Sequence, residues 1–202
     1  MRTRFAALAV TIVVAVPAFA QAPPAQQWLD APSRLPSAAH GDSTSNLDTL
    51  FDALKIAPDE TSAKAIESRI WSLWSASDSD TCNLLMSRVK VAMEAKDYHL
   101  AIKLLDAVIE LKPDYVEAWN RRATVYYLIN DYGHAIADIS QVLAREPRHF
   151  GALSGLGLIL QDIGDDKDAL KAYRGALAID PHLEHIPDVV KMLTEKVEGI
   201  DI

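Results

Sequence analysis

Ala101 to Pro113 reads AIKLLDAVIELKP, Ala135 to Pro147 reads AIADISQVLAREP, and Ala169 to Pro181 reads ALKAYRGALAIDP. The opening alanines and the closing prolines both stand 34 residues apart, and the apolar residues between them recur at helical spacing. A fixed period of this length marks a supersecondary unit copied in tandem, in which no copy can bury its apolar face alone. Each quoted stretch is the second helix of its unit. The prolines end it, because proline donates no amide and biases the residue before it away from helical geometry.

Working outward, each second helix is preceded by a first. The pattern predicts helix pairs over 84–95 with 98–111, 115–129 with 132–145, and 150–163 with 166–179. Lys96-Asp97, Asn130-Asp131 and Gly164-Asp165 fall in the inner turns. There Gly and Asn tolerate left-handed backbone angles, and Asp can accept hydrogen bonds from the next helix's free amides. After Pro113, Asp114 and Glu117 have capping-box spacing, which predicts a cap on the following helix. The aligned alanines sit in the first turn of each second helix, where a small side chain lets two helix axes come close.

These residues resemble the tetratricopeptide-repeat family pattern of a large apolar residue, Leu-Gly, Tyr, Ala, an aromatic, Ala and Pro at fixed offsets. The middle unit supplies Trp119, Tyr126, Ala135 and Pro147. The third supplies Leu153, Leu156, Gly157, Ala169, Tyr173, Ala176 and Pro181, and the first keeps Leu85, Tyr98, Ala101, Leu105 and Pro113. Arg122 and Ala123 stand where the middle unit should carry Leu-Gly. The resemblance implies an all-α fold, an α-solenoid of antiparallel hairpins with units at 82–115, 116–149 and 150–183. Residues 46–79 read as a degenerate helix pair of the same kind. Ala65 falls at its small-residue position, and Ser77 stands where its closing proline should be. Residues 184–202 read as a capping helix and tail, with Val189, Val190, Leu193 and Val197 inward and Lys191, Glu195 and Lys196 outward.

Residues 1–20 are a different object. Arg2 and Arg4 precede an apolar run from Phe5 to Val16, then Pro17 and Ala18-Phe19-Ala20, the layout of a secretory signal cleaved after Ala20. The run is shorter than the roughly 20 apolar residues a membrane span needs. Export with no membrane anchor after cleavage is therefore expected, and no cysteine follows the run to accept lipid. Residues 21–45, with Pro23, Pro24, Pro32 and Pro36, have a linker composition in which Trp28-Leu29 is the one sticky point.

Composition narrows the function. The formal net charge is −8, and two units more negative without Arg2 and Arg4. Such a surface repels phosphate backbones, so nucleic acid is not an expected partner. Cys82 is the only cysteine, so no internal disulfide staples the fold. Catalysis needs converging groups, and none stand out. His182 and His185 lack a third metal ligand. Gly151, Gly155 and Gly157 lack the Lys-Ser/Thr sequel of a phosphate loop. Asp165, Asp166 and Asp168 lack the glycine and glutamate of a calcium loop. Neither enzyme activity nor a cofactor nor a metal is expected.

The family resemblance implies that the first helices line a groove that takes extended or helical segments of partner proteins. Matching positions are Asn83, Met86, Lys90 and Met93; Glu117, Asn120, Arg121, Thr124 and Tyr127; and Ser154, Leu158 and Gln161. Lys90, Asn120 and Arg121 are the leading candidate contacts, with Thr124, Tyr127, Ser154 and Leu158 beside them. Amide, guanidinium and aromatic groups together can bind backbone polar groups and bury an apolar side chain. Met86 and Ser154 replace basic or polar groups of the carboxylate clamp in chaperone-binding relatives, so that ligand does not transfer. The layout is similar to small exported repeat proteins of Gram-negative envelopes, which makes a periplasmic adaptor the expectation. A holdase-like assembly factor for exported proteins is the alternative, and self-association stays open.

Overall fold

The structure is a computed structural model that describes residues 43–199, with side chains from Asn46 onward. The signal-like segment, Trp28-Leu29 and nearly all of the linker lie outside the described residues, as does the extreme C-terminus. Among the described residues there are nine helices and no strand. They are α1 (Ser43–Lys55), α2 (Glu60–Ser75), α3 (Asp80–Glu94), α4 (Tyr98–Leu111), α5 (Val116–Leu128), α6 (Tyr132–Arg145), α7 (Phe150–Asp162), α8 (Asp166–Ile179) and α9 (Ile186–Glu198).

Local chemistry sets the hairpins. In the inner turns Lys96, Asn130 and Gly164 take positive φ, and the aspartate that follows each caps the next helix. The Asp97, Asp131 and Asp165 carboxylates accept from the N–H groups of Leu100, His134 and Asp168 at 3.1, 3.3 and 3.2 Å. The expected cap at Asp114 does not form. Tyr115 is the N-cap of α5 and makes no side-chain cap bond, while Glu117 instead accepts from Asn120 and Arg121.

The pairs α3–α4, α5–α6 and α7–α8 stack in succession. One buried cluster runs from Cys82 through Val125 and a second from Ala123 to Leu193, with Trp119 packed against both. Ala101, Ala135 and Ala169 are fully buried. Replacing Ala135 with Leu is expected to overpack this contact and cost about 1 to 3 kcal/mol, read as a lower melting temperature. A variant melting with the parent would contradict it. At the far end α9 lays fully buried Leu193, with Val189, Val190 and Val197, over α8, and Lys196 reaches Asp166 at 2.5 Å.

The N-terminal pair is present but does not stack on the first unit in register. Ala65, aligned with the buried alanines, is exposed, and Ala63 is the buried one. Instead α2 runs along the row of connections between units. Lys64 pairs with Glu184, Trp74 stacks on His149 with centroids 4.1 Å apart, the Tyr115 hydroxyl donates to the Ser75 carbonyl at 2.8 Å, and Lys112 donates to the Ser77 carbonyl. A seven-residue step along a helix rises about 10 Å, close to the interaxial spacing of packed helices. One helix can therefore touch all three connections. The cause lies in its aromatics, since Trp71 and Trp74 find an apolar corner at Phe150 that an in-register stack would not offer them.

Candidate functional site

The 34-residue register arranges the first helices α3, α5 and α7 as four rungs. These are Asn83/Glu117/Gly151, Met86/Asn120/Ser154, Lys90/Thr124/Leu158 and Met93/Tyr127/Gln161. The N-terminal pair meets the first rung at both ends, covering Gly151 and leaving Asn83 exposed. The Ser77 hydroxyl donates to Asn83 Oδ1 at 2.6 Å. Gly151 leaves room for the Trp71 ring, which a Cβ would meet at 2.8 Å.

Glu117 is buried between these two points. Its carboxylate accepts from Asn120 Nδ2 at 3.0 Å and from Arg121 Nε at 2.9 Å. It lies 3.9 Å from His149 Nε2, too far for a hydrogen bond. His149 Nδ1 accepts from the Ala152 N–H at 3.0 Å, so the neutral ring carries its proton on Nε2. Burial, with Glu117 nearby, pushes the Tyr115 hydroxyl up to about 12, so it stays a donor to Ser75. Midway along α2, burial and the neighbouring Asp180 carboxyl raise Glu67, and burial raises Asp180. Asp180 Oδ1 accepts from the His182 N–H at 3.0 Å.

The other rungs are less covered. Asn120 and Arg121 come together, but both are turned to Glu117, so the guanidinium charge is largely cancelled where it stands. Lys90 is exposed and 3.9 Å from Glu94. Thr124 is exposed, with its hydroxyl donating to the Asn120 carbonyl at 3.0 Å. Ser154 Oγ is buried without a partner. Leu158 and Leu128 are exposed, and Tyr127 is half-buried with its ring tilted against Tyr132 at 6.0 Å. Burial, helped by a hydrogen bond to Asp162, raises the Tyr127 hydroxyl above its ordinary value. The face is thus mixed apolar and polar, with Lys90 its exposed cation. Among the described residues no three His, Cys, Asp or Glu side chains gather to hold a metal, and no helix is long and apolar enough to cross a membrane.

Trp71 and Trp74 belong to this site and were missing from the sequence-based set, whereas the place of His149 just before the third unit already put it at the border of the groove. The available signal was two tryptophans three apart, next to Ile70, on a helix whose other face is polar.

A profile of the tetratricopeptide repeat matches residues 87–139 and 129–184. A TPR repeat-containing protein of Rhizobium etli is 44% identical over 153 residues, spanning 76% of this chain and 75% of the relative. Small glutamine-rich tetratricopeptide repeat-containing protein 2 of Mycosarcoma maydis is 34% identical over 93 residues, which is 46% of this chain and only 26% of that protein. Among solved structures, the first TPR of Spaghetti (RPAP3) bound to an HSP90 peptide superposes with a TM-score of 0.56. It has 17% identity and covers 59% of this chain and 95% of that one.

Proposed function

The chain belongs to the tetratricopeptide-repeat family, and we propose that it is a non-enzymatic adaptor that holds a segment of a partner protein across α3, α5 and α7. The observation that carries this reading is the row of uncovered side chains Lys90, Thr124 and Leu158, with Leu128 and Tyr127 beside it. Such a row suits a segment with an apolar side chain flanked by backbone polar groups. Because Glu117 already engages Arg121 and Asn120, and Glu94 stands 3.9 Å from Lys90, an isolated carboxylate finds little net positive charge here. That argues against an acidic peptide terminus as the main anchor. The HSP90 peptide on the solved relative is consistent with segment binding as the general use of the fold.

We further propose that the adaptor works in the cell envelope after export. This rests on the layout of residues 1–20, and the N-terminal sequence of the protein recovered from fractionated cells tests it. Recovery with Arg2 and Arg4 still attached would overturn export by cleavage.

Photocrosslinking residues placed singly at Lys90, Thr124 and Leu158 are expected to trap a protein partner in cells. The same groups at Lys167 and Lys171, exposed positions on α8, are expected to trap none. Leu158→Glu should cut capture at least about tenfold, the loss of one well-placed apolar contact. Equal adducts from both sets would overturn the groove reading. A purified protein that keeps unfolded clients from aggregating regardless of Leu158→Glu would favour the holdase alternative.

A further inference from the structure

Because the N-terminal pair lies along the connections between units, nothing in the described structure covers the outer face of α3 and α4. The repeat register shows that this face is built to be covered. Leu84 is 57% exposed, while its counterparts Ala118 and Ala152 are 0% and 1%. Val91 is 64% exposed, while Val125 and Ile159 are 0% and 1%. In the second and third units these positions meet the preceding hairpin, whereas in the first they meet none. Terminal repeats ordinarily present a polar outer face, and a contiguous apolar one marks an interaction surface. Here Val91 and Leu100 stand out to solvent around a shallow hollow lined also by Ala92 and Leu104, and Leu84 stands out two turns earlier on α3.

We propose that this face binds the same face of a second copy of the chain, giving a closed two-fold dimer. Arg88 and Asp97 border the one hollow, and neither side chain is in an ion pair among the described residues. A two-fold axis through the hollow carries Arg88 of one protomer to Asp97 of its partner, twice. The contact is therefore charge-neutral in a chain whose net charge of −8 otherwise opposes association. A hairpin face shaped to stack on another hairpin finds its match in a hairpin. Head-to-tail stacking is closed off, because α9 already covers the outer face of α8. Pairing like ends closes the assembly instead of propagating it.

Sedimentation of the protein as purified from cells tests this, from about 1 to 100 µM, the range in which a micromolar association shows. The wild type is expected at twice the chain mass. Val91→Glu and Leu84→Glu are expected at the single-chain mass with unchanged helix content, because both side chains are already exposed in the single chain, and with a Tm that no longer rises with protein concentration. Val91→Cys with a short thiol-reactive crosslinker should give a covalent dimer, and Thr124→Cys should not; Cys82 is buried and adds little background. A single-chain mass across the whole range overturns the proposal, whether the face is then bare or covered by residues before Ser43. So does a dimer that survives Val91→Glu. Neither substitution touches Lys90, Thr124 or Leu158, so partner capture is read separately.

Discussion

Trp74→Ala is expected to lower stability by about 3 to 5 kcal/mol, the range for truncating a buried aromatic, and to free the N-terminal pair before the solenoid melts. Trp74 is 6% exposed and is the hub of the contact. It stacks on His149 and packs against Phe51, Trp71 and Phe150 at centroid distances from 4.1 to 6.0 Å. The remaining ties of the pair are more exposed and worth less, among them Lys64 with Glu184 and Arg148 with Asp48. Hydrogen exchange reads the result by segment. Amides of 46–75 should lose protection in the variant while those of α5 to α8 keep theirs, and Trp74→Phe should recover part of the loss. Unchanged protection in 46–75 would show that the pair is held some other way. If it does open, Glu117 and Gly151 lose the cover of Trp71 and join Asn83, which is already exposed, in a complete first rung, so the same variant is expected to change partner capture.

The array was legible because its determinants are local and repeated. Alanine in a first turn, aspartate after a left-handed residue and proline past a helix end each act within a few residues, and three copies reinforce one another. The placement of α1 and α2 was not legible, because it is decided by a contact between Trp74 and His149, far apart in the chain. Local pattern pointed to Ala65 as the close-approach residue, but the pair's own packing buries Ala63. Glu117 shows the same limit. Its spacing from Asp114 suits a cap, yet its carboxylate gains more from Asn120 and Arg121 once the Tyr115 hydroxyl is drawn to Ser75. For the candidate site, periodicity could place residues on one face but could not show that Asn120 and Arg121 point to a buried acid.

The middle unit's departure from the family pattern leads to the second large effect. Arg122 stands where the third unit carries Leu156, and Asp138 where it carries Ala172. The two are paired through Nε to Oδ2 at 2.8 Å and Nη2 to Oδ1 at 2.7 Å, while Nη1 reaches Asp106 at 2.6 Å and Trp119 flanks the guanidinium at 5.0 Å. Burial works against the Arg122 charge, but hydrogen bonds to Asp138 and Asp106 outweigh it and keep the group charged. Burial lifts the Asp138 carboxyl above its ordinary value, and Arg122 pulls it back only part of the way. Arg122→Leu therefore leaves a buried, unpaired carboxylate and is expected to cost about 3 to 5 kcal/mol. With its counter-charge gone, Asp138 has a folded pKa further above its unfolded value, so the folded state binds the extra proton and the variant gains stability as pH falls. The deficit relative to wild type should be larger at pH 8 than at pH 5. Arg122→Leu with Asp138→Ala copies the third unit, whose Leu156 and Ala172 are both fully buried, and is expected to recover most of the loss. A single variant with no pH-dependent deficit would mean the pair carries little of the middle unit's stability. A double variant no better than the single would mean that this unit has packed itself around the ion pair and cannot accept the dry arrangement of its neighbour.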